Sequence, residues 1–227
     1  MSAIGILGGM GPQASNKLYE LLIKKTALYT DAAIDEDFPD IVLLNVPVPN
    51  FISDKSKLPE AKRMLMAKTK LLETAGCTIN GIACNTVHLL LPELRQSTNV
   101  PFVSIPELVR DRLNDAGYRR AGLLATPTTL ESTFYDEALD GIELVRPDVN
   151  LANYVEDCIY EQLNGKMTES VRLEFRDKVE HFRKENALDA VILGCTELPL
   201  VYGDVKPDNI IDTIELLAEA LLSKYYV

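Results

Sequence analysis

The sequence predicts an α/β protein built from two similar parallel-sheet units, and three observations lead there. Short apolar runs alternate with longer amphipathic segments along the whole chain, the pattern of strands joined by crossover helices. The opening run Ile4-Gly5-Ile6-Leu7-Gly8-Gly9 returns as Ala121-Gly122-Leu123-Leu124-Ala125-Thr126. An apolar run ending in a cysteine occurs twice, as Gly81-Ile82-Ala83-Cys84-Asn85-Thr86-Val87-His88 and as Leu193-Gly194-Cys195-Thr196-Glu197-Leu198-Pro199. Gly5 aligns with Gly122 and Cys84 with Cys195 at offsets of 117 and 111 residues, close enough to suggest two copies of one unit.

Taken in order, Ala3 to Leu7 is a strand stopped by Gly8-Gly9-Met10-Gly11-Pro12, and the apolar spacing from Ser15 to Thr30 is helical. Asp40 to Val46 is a second buried strand, after which Pro47 and Pro49 force a loop at the mouth of the sheet. Leu58 to Ala75 is a helix that Gly76 can stop, and Asn80 to Ala83 is the strand leading to Cys84. A short helical segment from Asn85 or Thr86, a strand over Pro101 to Ile105 and a helix over Glu107 to Ala116 complete the first half. The second half reads as a strand from Arg120, a helix over Leu130 to Leu139 and a short strand over Leu144 to Pro147. Helices follow over Tyr154 to Leu163 and Glu169 to Asn186, then a strand over Asp189 to Gly194 and a closing helix over Ile214 to Tyr225. The expected division is residues 1–97 with 209–227 for the unit carrying Cys84, and 98–208 for the unit carrying Cys195.

The chain has 227 residues, enough for a sizeable core, and a formal net charge of −11. That balance excludes a nucleic-acid or anionic-membrane surface, which would need clustered Lys and Arg. The first residues show no basic and apolar signal segment, and no apolar run reaches membrane-spanning length, so a cytoplasmic location is expected. The four cysteines form no CxxC pair, so no metal is expected, and in a reducing cytosol they are thiols. Cys77 and Cys158 read as small buried apolar residues.

The two strand-end cysteines carry the chemistry. In parallel sheets ligands bind outside the carboxyl ends of strands. Free backbone N–H groups at a helix start, with the Thr86 and Thr196 hydroxyls, suit a small carboxylate and need no basic residue. Glu197 suits the first helical turn as a cap, and His88, four residues after Cys84, could face that thiol along a helix. One cysteine in such a setting suggests a nucleophile. Two on opposite sides of a carboxylate-sized pocket suggest removal of a proton from one face of Cα and its return from the other. Gly9-Met10-Gly11-Pro12-Gln13-Ala14 formally matches a dinucleotide fingerprint, but the second strand ends in Asn45, where that reading needs an acidic residue.

With Gly8-Gly9-Met10-Gly11-Pro12, the two cysteine motifs and Leu124-Ala125-Thr126, nearly the whole chain resembles the aspartate/glutamate racemase family, whose members also include hydantoin racemase and maleate isomerase relatives. The resemblance implies two Rossmann-like domains related by pseudo-two-fold symmetry, a site in the cleft between them, no cofactor, and a homodimer. By motif it makes Cys84 and Cys195 the acid/base pair. It has Asn85, Thr86, Thr126 and Thr196 binding the α-carboxylate and amino group, with Met10 lining the pocket. Asn45 and Lys166 join the substrate-binding candidates, Lys166 lying just beyond the position of a basic residue usual in the family. The chain departs from the aspartate racemases at Pro49-Asn50-Phe51, where Phe51 replaces their arginine. The implied partner is a small amino-acid or dicarboxylate substrate. A cysteine-dependent isomerase or decarboxylase of a small dicarboxylate, and a non-catalytic carboxylate-binding protein, are the alternatives.

Overall fold

The computed structural model describes residues 2–52 and 54–226; Met1, Ser53 and Val227, which the sequence assigns to the first unit, lie outside the described residues. The chain divides into two compact units, one running to Ser104 and resuming at Ile214, the other spanning Ile105–Thr213. Each is built on a parallel sheet with helical crossovers.

In the first unit β1 (Ile4–Gly8) lies between β2 (Ile41–Asn45) and β3 (Ile79–Ile82), parallel to both. Helix α1 (Pro12–Thr30) starts three residues before the expected Ser15, because Pro12 is preset for a first helical position and needs no amide partner there. Helix α2 (Leu58–Thr74) buries Ala61, Leu65 and Leu72, and α3 (Leu91–Gln96) buries Leu91 and Leu94. The expected strand over Pro101 to Ile105 is reduced to one bridge between Asn80 and Phe102. Ile105 instead opens α4 (Ile105–Asp115), since Pro106 and Glu107 both favour a first helical turn.

The second sheet runs β5 (Glu143–Val145), β4 (Arg120–Leu124), β6 (Ala190–Leu193), β7 (Ile210–Asp212), all parallel. The three-residue β7 adds a strand that the apolar pattern does not predict, being too short to show a period. The helix expected over Leu130 to Leu139 is two, α5 (Pro127–Glu131) and α6 (Phe134–Ala138). Ser132 breaks it by donating its hydroxyl to the Thr129 carbonyl at 2.6 Å, the local competition with helix bonding that serine offers. Helix α7 (Val149–Leu163) begins earlier than Tyr154 because Asp148 accepts from the Leu151 amide at 2.8 Å. With α8 (Glu169–Glu185) and α9 (Leu198–Tyr202) it encloses a core of Val155, Ile159, Phe175, Val179 and Phe182.

Helix α10 (Thr213–Tyr225) returns to the first unit. Leu217 and Leu221 lie over β3 so closely that a Cβ on Gly81 would come within 2.9 Å of Leu221 Cδ1. Lys25 of α1 holds it electrostatically, with Glu215 at 2.7 Å and Glu219 at 2.8 Å.

Candidate active site

The two cysteines occupy equivalent places in their sheets. In the first unit Leu7 pairs with Ile82, the Ala83 amide donates to the Leu7 carbonyl at 3.0 Å, and Cys84 follows. In the second Leu124 pairs with Leu193, the Gly194 amide donates to the Leu124 carbonyl at 2.7 Å, and Cys195 follows. The sequence offsets of 117 and 111 thus match residues that are hydrogen-bonded neighbours in both sheets. Neither cysteine is in a disulfide, both are buried, at 4 % and 7 % exposure, and each stands just past the carboxyl end of its strand, β3 or β6.

After Cys84 the chain enters a 3-10 turn, Thr86–Leu90, that runs into α3. Asn85, Thr86 and His88 are all buried here. Asn85 precedes the turn without a side-chain cap bond. The His88 Nδ1 lies 2.9 Å from the Cys84 carbonyl and 3.2 Å from that of Asn85. Two carbonyl neighbours require a proton on Nδ1, so the neutral ring has the Nδ1–H tautomer. Burial holds its pKa down at about 4, against a weaker upward pull from those carbonyls. A neutral imidazole cannot form an ion pair with a thiolate.

The turn after β1 abuts the end of β2. Gly9 has φ +93, and a Cβ there would come within 2.5 Å of the Val46 amide and 2.9 Å of Asn45 Oδ1. The close approach that glycine permits is to the chain's own second strand. Ser15 ties the turn down, accepting from the Gly9 amide at 2.8 Å and donating to the Gly11 carbonyl at 3.1 Å. Asn45 is exposed and Met10 half-buried. Phe51 is 3 % exposed and belongs to the same apolar cluster as Cys84, Val46, Val87 and Met10. An aromatic ring in the core therefore occupies the position where the resemblance implies a cation.

In the second unit Thr126 follows β4, is buried, and donates to the Thr129 hydroxyl at 3.1 Å. The loop after Cys195 departs from expectation at Glu197. Its side chain caps nothing in α9; it turns back, and Oε2 accepts from the Cys195 thiol at 3.1 Å and from the Thr196 hydroxyl at 3.1 Å. A buried carboxylate needs hydrogen-bond donors, and the thiol and the hydroxyl supply two. Tyr135 of α6 is fully buried; burial, followed by the proximity of Cys195, drives its ionisation far above the usual tyrosine range. On β7, Asp212 pairs with Leu193 in register and forms a largely buried ion pair with Lys206 at 3.1 Å. Lys166 is exposed in the turn after α7. No spacing signal marks Tyr135, Asp212 or Lys206 in the chain, because segments remote from Cys195 bring them to this region.

Among the described residues, no cluster of three or more His, Cys, Asp or Glu side chains is placed to hold a metal ion, and no helix is long and apolar enough to cross a membrane. Cys77 and Cys158 are buried, and burial raises both of their thiol pKa values.

Residues 7–221, which include both cysteine loops, match the family model for Asp/Glu/Hydantoin racemase. The chain belongs to this family. It is 25 % identical over 228 residues to the broad specificity amino-acid racemase RacX of Bacillus subtilis (strain 168), covering 98 % of this chain and 97 % of that one. Among solved structures it is similar to an aspartate racemase homologue from Pyrococcus horikoshii OT3, with 28 % identity, a TM-score of 0.82 and 99 % of each chain covered. The aspartate racemase of Picrophilus torridus is 29 % identical with a TM-score of 0.76, over 99 % of this chain and 94 % of that one. Family membership thus spans both sheets and both thiols of this racemase-family chain.

Proposed function

We propose that this chain is an amino-acid racemase that inverts Cα by two-base proton transfer, with Cys84 and Cys195 as the two bases. The observation that carries the reading is the equivalence of the two loops: each sheet delivers one buried thiol past the carboxyl end of a strand paired with the unit's first strand, followed by residues with hydroxyl or amide side chains. Inversion needs a group that takes a proton from one face of the carbon and a group that gives one on the other, and the roles exchange for the opposite enantiomer. Two chemically identical groups in equivalent loops suit a reaction whose forward and reverse substrates are mirror images.

In this reading Asn85, Thr86, Thr126 and Thr196 bind the α-carboxylate and amino group, while Met10 and Asn45 border the side chain and Lys166 approaches from its turn. Neither pyridoxal phosphate nor a metal takes part, and the protein acts as a cytoplasmic homodimer. The buried Phe51 sets the choice of substrates to test, because it offers apolar surface in place of a cation. The panel must include uncharged amino acids beside aspartate and glutamate.

The test is incubation of the purified protein with each amino acid in D₂O without added cofactor. Deuterium should enter Cα while optical rotation decays. Absence of exchange across the whole panel would remove the racemase reading. Saturable binding without turnover would indicate a carboxylate-binding protein instead, and a trapped covalent adduct on one cysteine would indicate nucleophilic isomerase or decarboxylase chemistry.

A further inference from the structure

The Cys195 loop contains a carboxylate to which the two-base reading assigns no task. Glu197 is 3 % exposed, and its Oε2 accepts from the Cys195 thiol and the Thr196 hydroxyl, both at 3.1 Å. A thiol can donate that bond only while it keeps its proton. Once the proton leaves, a thiolate stands against a carboxylate, and like charges in hydrogen-bond contact disfavour the ionised state. The other loop is built differently: the residue two after Cys84 is Thr86, where the residue two after Cys195 is Glu197.

We propose that Glu197 is a positioning residue that holds Cys195 as a thiol in the resting protein, so that the two equivalent cysteines begin turnover in unlike states. Two further titratable groups described near Cys195 in its own unit do not oppose this bias. Tyr135 on α6 is a neutral hydroxyl, and Asp212 on β7 is balanced by Lys206 at 3.1 Å. The consequence for catalysis rests on the racemase reading. The Cys195 S–H bond breaks as a C–H bond forms at the substrate carbanion, and the electron pair stays on sulfur. That carbanion arises when the Cys84 thiolate has taken the original Cα proton. The resting protein is thereby set for one enantiomer, and after its turnover Glu197 favours recovery of a proton by Cys195.

The test reads the thiol directly and does not require turnover. Iodoacetamide alkylates a thiolate: a sulfur–carbon bond forms, the carbon–iodine bond breaks and iodide leaves. Peptide mass mapping then follows Cys84 and Cys195 separately across pH. In E197Q, Cys195 should alkylate about tenfold faster near pH 7, equivalent to a midpoint about one pH unit lower, with the Cys84 rate unchanged. E197D, which keeps the carboxylate, should stay closer to the parent. In the unaltered protein the Cys195 midpoint should lie above that of Cys84, and this measurement decides the matter should E197Q fail to fold. A Cys195 midpoint that does not move in folded E197Q, or one at or below that of Cys84 in the parent, overturns the proposal. If the protein racemises no amino acid yet the Cys195 midpoint moves as stated, the assignment of Glu197 stands and only the racemase reading falls.

Discussion

His88 gives a prediction whose size follows from its surroundings. Its ring is 3 % exposed, and burial holds its pKa at about 4 against an ordinary value of 6.5. In the unfolded chain the imidazole takes up a proton as pH falls through 6.5, while in the folded chain it does so only near 4. Between those values the unfolded state binds more protons, so folding stability is full above 6.5 and drains away as pH drops toward 4. At about 1.4 kcal/mol for each pH unit separating the two values, the complete loss is about 3 kcal/mol, of which about 2 kcal/mol is gone by about pH 5. Asparagine at this position keeps a donor in reach of the Cys84 carbonyl but cannot titrate. His88→Asn should therefore be less stable than the parent at pH 7 by about 1–2 kcal/mol, from the lost ring volume. That deficit should vanish or reverse near pH 5. Urea unfolding of both proteins at the two pH values measures it. A deficit that stays constant between pH 7 and 5 would show that the buried neutral imidazole has been assigned wrongly.

Other predictions are simpler. Cys84→Ser and Cys195→Ser should each abolish full racemisation by at least about a hundredfold, since a hydroxyl is a far weaker acid than a thiol, and a variant that still racemises would remove its cysteine from the pair. Gly122→Ala should cost about 1–3 kcal/mol, seen as a lowered Tm, because the new Cβ meets Phe182 Cε1 at 2.4 Å and Leu188 Cδ1 at 2.6 Å. Lys206→Met should destabilise the protein by about 3 kcal/mol in urea unfolding by removing the ion partner of the 9 % exposed Asp212. Lys206→Arg should recover most of that, and equal losses in both variants would argue against the ion pair.

The apolar periods, the two cysteines and their flanking residues are sufficient to predict the class of fold, the parallel strands and the equivalence of the loops. This is possible because strand and crossover helix leave a local, repeating signal. Phe51 can be named from the chain as an oddity. Its burial among Met10, Val46 and Val87 cannot, since those neighbours meet only once β1 and β3 are paired. Helix α10 is legible as a helix, but its seat over Gly81 is set by the fit of Leu217 and Leu221 against a strand well over a hundred residues earlier.

The same division applies at the thiols. Sequence alone identifies Cys84 and Cys195 and their hydroxyl-bearing neighbours, because residue type and a strand end suffice to mark candidate acid/base groups. Tertiary structure decides what each side chain does with its hydrogen bonds: His88 turns to a carbonyl and stays neutral, and Glu197 turns from the helix to the Cys195 sulfur. Those choices depend on which donors and acceptors burial leaves within about 3 Å, and a one-dimensional pattern carries no such distances.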